Sequence, residues 1–212
     1  MAIISPLPGA PAPLTRAEYE ELARRGVFDD ARVELLNGRI SALSPISKEH
    51  VYCVQKLGRL LQLAIDDRAK VYSEAPLAAP NDSLPQPDVF VTAAGDYLDD
   101  FPHTGTLVVE VADASLRYDR AKAKVYAQAT VPEYWIVNLV DGVVEVHREP
   151  GASGYAKDEQ GGAGIERVAR FALQLERVAG ADRALVVMRR SGDAHFKRPL
   201  EGVVFGPVLR EL

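Results

Sequence analysis

The sequence predicts a mixed α/β fold, in which a central mixed sheet is flanked by helices. Two observations predict it. Helical and strand patterns follow one another between residues 47 and 138 in the order α-β-β-β-α-β. The strand at 106–111 is the most apolar, so it is expected at the centre of the sheet with both faces covered. With 212 residues, of which 47% are hydrophobic, the chain can bury such a core without disulfides.

Composition limits the classes of function. The net charge of −5 argues against a generally basic nucleic-acid coat protein, although a basic groove stays open because net charge averages over the surface. Cys53 is the single cysteine, which excludes an internal disulfide framework and fits a reducing compartment. The N-terminus lacks the basic region of a signal peptide, and no apolar run reaches the ~20 residues of a membrane span. A cytoplasmic protein without membrane contact is therefore expected.

The N-terminal segment predicts an arm, a helix and a hairpin. Four prolines in residues 1–14 disfavour a regular helix, so a flexible arm is expected there. The capping box at residues 15–18 begins a helix that Gly26 ends. Asn37 and Gly38 lie between two apolar stretches, which is the strongest short signal for a β-hairpin because both residues tolerate positive φ.

The later elements divide the chain into three parts. They are expected as a helix at 47–67, strands at 71–79, 87–91 and 106–111, a helix at 119–129, and strands at 133–137 and 143–147. After residue 150 clustered glycines predict a loose β-extension, with one strand at 165–171 and no assignment for 172–212. The parts are the arm at 1–14, a domain at 15–150 and a C-terminal extension of that domain at 151–212.

Two acids stand at the ends of neighbouring predicted strands. Asp88 opens one strand and Glu110 lies near the end of the next, so antiparallel pairing would bring their carboxylates within a few ångströms. Like charges placed so closely need a cation between them, and oxygen ligands suit Mg²⁺ or Mn²⁺. Two other interpretations stay open. Asp88 could be a strand-entry residue and Glu110 an edge charge, or the acids could act without metal, as in glycosidases.

Basic residues follow Glu110, just before the next predicted helix and within it. They are Arg117, Arg120, Lys122 and Lys124. A solvated helix face would explain such a run. Alternatively, Lys122 projects from the first turn of the helix toward the two carboxylates, where its ammonium could orient a water and offset charge that develops on a phosphate.

Further short motifs, taken with the acid pair, resemble a known group of enzymes. They are Pro87-Asp88, Glu110-Val111 at the end of an apolar strand, the hairpin at 34–38, His50 opening a helix, Tyr118-Asp119-Arg120, Tyr126 and the segment 131–138. In this order they resemble the PD-(D/E)XK nuclease superfamily and, within it, the Uma-type restriction endonuclease family of bacteria. The resemblance covers about residues 14–150 and implies a restriction-endonuclease-like fold.

The resemblance also implies a site for metal-dependent phosphodiester hydrolysis. Asp88, Glu110 and the main-chain carbonyl of Val111 would bind one or two Mg²⁺ ions, with Mn²⁺ as a substitute. Glu34 matches the hairpin glutamate of the family, and is either a third acid near the metal or a strand residue facing solvent. His50 lies in line with an apolar helical stripe, where it is either structural or part of the site.

The lysine departs from the superfamily pattern. Ala112 stands where lysine is usual, and in the Uma-type branch a lysine on the following helix substitutes for it. The spacing to Tyr126 selects Lys122, while counting forward from Asp119 leaves Lys124 as a second candidate. Both lysines therefore stay open as the catalytic one.

The expected function is that of an endonuclease acting on nucleic acid, with DNA expected rather than RNA. The alternative is a catalytically silent nucleic-acid-binding or regulatory module, which the missing lysine at Ala112 and the acidic net charge favour. A homodimer is expected if both strands of a duplex are cut, because that calls for two sites. Acids gather at 81–100 and bases at 183–198, so contact with a polyanion would run through the helix after Glu110 and the tail.

Overall fold

The computed structural model describes residues 12–65, 69–162, 187–188 and 203–204. The helices in these residues are α1 (Arg16–Arg24), α2 (Lys48–Ala64) and α3 (Leu116–Gln128). The strands are β1 (Val33–Leu36), β2 (Arg39–Ala42), β3 (Ala69–Ser73), β4 (Val89–Ala93), β5 (Leu107–Ala112), β6 (Glu133–Asn138), β7 (Val143–Gly151), β8 (Gly154–Gly162), β9 (Val187–Met188) and β10 (Val203–Val204). None of these helices is long and apolar enough to cross a bilayer.

A six-stranded mixed sheet forms the centre of the fold. Its strand order is β3-β4-β5-β6-β7-β8, and every neighbouring pair is antiparallel except β5 and β6. The parallel pair is joined through α3, as a crossover connection requires. Two separate antiparallel pairs, β1 with β2 and β9 with β10, lie outside this sheet. The predicted α/β class and its α-β-β-β-α-β order are confirmed.

The two faces of the sheet are covered by different helices. On one face Val54 and Leu57 of α2 pack in one cluster with Val109 of β5. On the other, Val125 of α3 packs in a second cluster with Val108 of β5. Every residue of β5 is buried, as expected for a central strand that is covered on both sides. The end of β5 therefore lies between two helices, and its successive side chains face one helix or the other.

The N-terminal elements form as predicted. The capping box of α1 is present at Thr15, and Asn37 and Gly38 have φ angles of 51° and 72° in the hairpin turn. An isolated bridge joins Leu35 of β1 to Leu84, in the segment that leads into β4. This bridge fixes the β1–β2 hairpin beside the segment that leads into β4. Of the predicted arm, residues 1–11 lie outside the described residues.

The predicted strand at 71–79 is wrong in its second half, because β3 ends at Ser73. Glu74 has a φ of 51°, which extended chain does not allow, and Pro76 cannot donate to a ladder. Helix α3 begins at Leu116 rather than at 119, since Ser115 already accepts backbone bonds from the next turn. Lys122 consequently lies in the second turn of the helix and not in the first.

The segment after residue 150 is more regular than predicted. Strand β8 pairs with β7 along its length, so residues 154–162 form an edge strand of the main sheet rather than a loose extension. The predicted strand at 165–171 and the basic cluster at 183–198 fall outside the described residues, apart from the short strand β9.

Candidate active site

The register of β4 and β5 brings the two acids together. Val89 is paired with Val109, so Asp88, the residue before β4, lies beside Glu110. The amide of Asp88 donates to Oε2 of Glu110 at 3.4 Å, and the amide of Val111 donates to Oδ2 of Asp88 at 2.6 Å. The juxtaposition expected from strand order is therefore the one found in the structure.

The ammonium group of a lysine side chain bridges Glu110 to a second carboxylate. Nζ of Lys122 lies 2.6 Å from Oε1 of Glu110 and 3.1 Å from Oε2 of Glu34. The three side chains are buried, whereas Lys124 is exposed and does not join them. Of the two candidate lysines, the structure thus places only Lys122 beside the acids.

Glu34 does not face solvent, and that interpretation of the hairpin is wrong. Its side chain is fully buried because the bridge from Leu35 to Leu84 presses the hairpin against the loop before β4. The amide of Gln86 in that loop donates to Oε2 of Glu34 at 2.8 Å. Glu34 is therefore held from the loop on one side and from α3 on the other.

Two tyrosines of α3 complete the hydrogen bonding of the buried acids. The hydroxyl of Tyr118 donates to Oε1 of Glu34 at 2.7 Å, and that of Tyr126 donates to Oε1 of Glu110 at 2.6 Å. Sequence reasoning assigned neither of them a role in the site. The signal was present, because Tyr118, Lys122 and Tyr126 are spaced by four residues, which puts them on one helical face.

His50 reaches the acid pair from the opposite face of the sheet. Its Nε2 lies 3.1 Å from Oδ2 of Asp88, and its amide donates to the side chain of Ser47, the N-cap of α2. The hydrogen bond with Asp88 raises the pKa of the imidazole, while burial acts in the other direction. The acid pair is thus contacted by α3 on one side and by α2 on the other.

Burial and charge together set the protonation of the cluster. Burial raises the pKa of Glu110 well above its ordinary value, and the Lys122 ammonium opposes this shift. Burial alone would lower the pKa of Lys122, but the carboxylates of Glu110 and Glu34 outweigh it and the pKa is raised. Lys122 is therefore a cation at neutral pH, suited to electrostatic stabilisation rather than to proton abstraction.

Comparison with known proteins agrees with this architecture. The model of the Uma2 family, described as "Putative restriction endonuclease", matches residues 16–180. The chain belongs to the Uma2 family. Its fold is similar to the crystal structure of a "putative nuclease belonging to DUF820" from Anabaena variabilis, with a TM-score of 0.56 and 15% identity over 70% of this chain and 84% of the other. The comparison with curated proteins found no match.

Uma2 membership confirms the family that the sequence motifs resemble and supports a nuclease. The matched residues include the whole acid–lysine cluster. At 15% identity, the similarity to the solved structure shows the fold alone. Within the described residues, no group of three or more His, Cys, Asp or Glu side chains is arranged to hold a metal ion. The site of this Uma2 member therefore offers two adjacent acids rather than a closed metal cage.

The exposed face of α3 is basic in this Uma2 member. Arg117 and Lys124 are exposed, and Arg120 is half-exposed. The guanidinium of Arg120 makes a bidentate contact with Glu145 of β7, at 2.8 Å and 2.5 Å. The predicted solvated helix face is thus present, and Lys122 is the basic residue that turns away from it.

Asp119 is a buried acid next to this cluster. Burial raises the pKa of its carboxyl to about 6, and the hydroxyl of Ser115, which donates to Oδ2 at 2.5 Å, opposes the shift only in part. Between roughly pH 4 and 6 the folded chain therefore binds a proton that the unfolded chain has released. The contribution of this group to the free energy of unfolding falls as the pH rises, by up to about 3 kcal/mol.

Replacing Asp119 by asparagine should remove this pH dependence. Relative to wild type, the free energy of unfolding of Asp119→Asn is expected to rise by about 2 kcal/mol between roughly pH 4.5 and 7.5. Urea unfolding of both proteins at the two pH values measures the change. Asp30→Asn, at an exposed position, is the control and should leave the pH dependence as in wild type. Parallel pH profiles for Asp119→Asn and wild type would contradict the assignment.

Proposed function

We propose that the chain is a metal-dependent endonuclease that hydrolyses phosphodiester bonds, with DNA as substrate in preference to RNA. The observation that carries the proposal is the contact of Asp88 with Glu110, with the ammonium of Lys122 at 2.6 Å from the second acid. A nuclease needs charge stabilisation at a phosphate, and this cluster can supply it. The preference for DNA rests on the description of the family as restriction endonucleases.

The donor set fits a hard divalent cation. Mg²⁺ is usually bound by one or two carboxylates and keeps several waters, so the pair of Asp88 and Glu110 is a sufficient protein contribution. The N–H and C=O of one residue in a strand point to the same side, and the amide of Val111 points to Asp88. The carbonyl of Val111 therefore points to the same edge of β5 as its amide, where it would serve as a third oxygen donor.

The charge of the cluster supports the same fit. The contacting groups are the carboxylates of Asp88, Glu110 and Glu34 and a single ammonium, that of Lys122. With all three acids ionised, their charge would exceed that of the one ammonium, which is costly in a buried place, and burial accordingly raises the pKa of Glu110. A divalent ion at the acid pair would offset that excess.

Each residue of the cluster would have a distinct role in the reaction. When bound, Mg²⁺ or Mn²⁺ polarises the scissile phosphate and lowers the pKa of a bound water. Asp88 and Glu110 would hold the ion through their carboxylate oxygens. Lys122 stays protonated and stabilises negative charge that develops on the phosphate. Tyr126 holds Oε1 of Glu110, which orients that carboxylate.

Basic helical faces suit a polyanionic substrate. Arg117 and Lys124 are exposed on α3, and Lys48 and Arg59 are exposed on α2, so both helices that contact the acid pair present cations to solvent. Helix α2 begins two residues before His50, which places its positive N-terminal end at the site. The predicted homodimer and the cytoplasmic location stay predictions.

The assay that tests the proposal is cleavage of single-stranded DNA, duplex DNA and RNA in the presence of Mg²⁺ or Mn²⁺. We expect cleavage of DNA with either ion, with RNA cut more slowly and no product in EDTA. No cleavage of any substrate with any ion would contradict the proposal. Retention of nucleic acid in a mobility-shift assay, unchanged in Asp88→Asn and without hydrolysis, would instead indicate a silent binding module.

A further inference from the structure

His50 makes a contact that packing alone does not explain. Its side chain is nine-tenths buried, and Nε2 lies 3.1 Å from Oδ2 of Asp88. The other ring nitrogen, Nδ1, is buried and has no hydrogen-bond partner among the described residues. An unpaired buried nitrogen is unfavourable. A leucine would fill the same space without that cost, so the reason for a histidine must lie in its contact with Asp88.

One oxygen of Asp88 receives both of the bonds that orient the carboxylate. Oδ2 accepts from the amide of Val111 at 2.6 Å and lies 3.1 Å from the imidazole of His50. In the described part of the chain, Oδ1 has no hydrogen-bond partner. The two contacts reach Oδ2 from a strand and from a helix, so they fix the rotation of the carboxylate without using Oδ1.

The helix that carries His50 is itself fixed at this point. Ser47 is the N-cap of α2, and its hydroxyl oxygen accepts from the amide of His50 at 3.1 Å. One helical turn further on, Val54 is buried in the cluster that includes Val89 and Val109 of the sheet. The imidazole is therefore presented to Asp88 from a rigid support, which is what the orientation of a ligand requires.

We propose that His50 is a positioning residue, which holds Oδ2 of Asp88 so that Oδ1 is available to a divalent metal ion. The inference rests on the proposed function. It assigns His50 no contact with the ion or the phosphate. His50 acts through Asp88, and losing a group that orients a metal ligand typically weakens metal binding by about 10- to 100-fold.

The test is isothermal titration of the full chain with Mn²⁺ alone, without nucleic acid. We expect His50→Leu to bind Mn²⁺ at least about tenfold more weakly than wild type. His50→Gln keeps an amide donor at a similar reach and is expected to stay within about threefold of wild type. His147 is the matched control, because it too is largely buried and its Nε2 has no hydrogen-bond partner among the residues that the structure describes, but its Nδ1 contacts Asp158. His147→Gln should bind as wild type does.

The outcomes separate this inference from the proposed function. Mn²⁺ binding by wild type with an unaffected His50→Leu overturns the positioning role alone, as does a His50→Gln variant as weak as His50→Leu. Wild type that binds no Mn²⁺ overturns both the inference and the metal-dependent function. Urea unfolding shows whether each variant is folded. If His50→Leu does not fold, His50→Asn takes its place, because its shorter amide does not reach Asp88.

Discussion

Asp88→Asn is expected to lower the rate of metal-dependent DNA cleavage by at least about a hundredfold while the fold is retained. The substitution removes the negative charge that would hold the ion. It keeps a side-chain oxygen that can accept the amide of Val111, the bond that measures 2.6 Å in the wild type. Initial rates on a labelled duplex at saturating Mg²⁺, with circular dichroism as a check of folding, measure the effect.

The matched control for this experiment is Asp99→Asn. Asp99 is exposed in the acidic loop between β4 and β5, so it carries the same chemistry outside the cluster. Its replacement is expected to leave the cleavage rate within about twofold of wild type, since exposed positions away from a site have small effects. A cleavage rate of Asp88→Asn equal to that of Asp99→Asn would remove Asp88 from the reaction.

Lys122→Met is expected to have the largest effect on stability. Loss of the ammonium leaves Glu34 and Glu110 buried at 0% and 3% exposure without their cation. Breaking a buried ion pair from one side typically costs about 3–5 kcal/mol, because the remaining charge is uncompensated. The free energy of unfolding at neutral pH, from urea denaturation, should fall by that amount. Cleavage should be lost as well, since the cation beside the acids is gone.

Two further variants make the lysine experiment specific. Lys124→Met, two residues along the same helix and exposed, should change the free energy of unfolding by no more than about 0.5 kcal/mol. Glu34→Gln combined with Lys122→Met should recover part of the lost stability, because one of the unpaired charges is removed. A loss below about 1 kcal/mol for Lys122→Met, or an equal loss for Lys124→Met, would show that the buried bridge is not what holds the cluster.

The central part of the site could be predicted from the sequence because it depends on strand order alone. Once two strands pair antiparallel, a residue before the first and one near the end of the second must meet, and Asp88 and Glu110 do. The hairpin turn at Asn37 was equally local, since its left-handed φ follows from residue type. Both features need only a few neighbouring residues to be specified.

Other contacts depend on the packing of elements that are far apart in the sequence. No local sequence pattern predicts such packing. Glu34 and Lys122 are 88 residues apart, and they meet only because the hairpin is bridged to the loop before β4. The contact of His50 with Asp88 likewise requires α2 to lie against one particular face of the sheet. The end of β3 was missed for a different reason. The apolar run continues beyond Ser73, but the backbone turns at Glu74.

Binding of a divalent ion by the acid pair is the central requirement of the proposed reaction. Equilibrium binding of Mn²⁺, followed by the electron paramagnetic resonance signal of the free ion, tests it on wild type and Glu110→Gln. Glu49→Gln, at an exposed position in the first turn of α2, is the control. We expect Mn²⁺ binding by wild type and by Glu49→Gln, with at least about tenfold weaker binding by Glu110→Gln. Absence of binding in wild type, or equal binding by Glu110→Gln, would contradict this requirement.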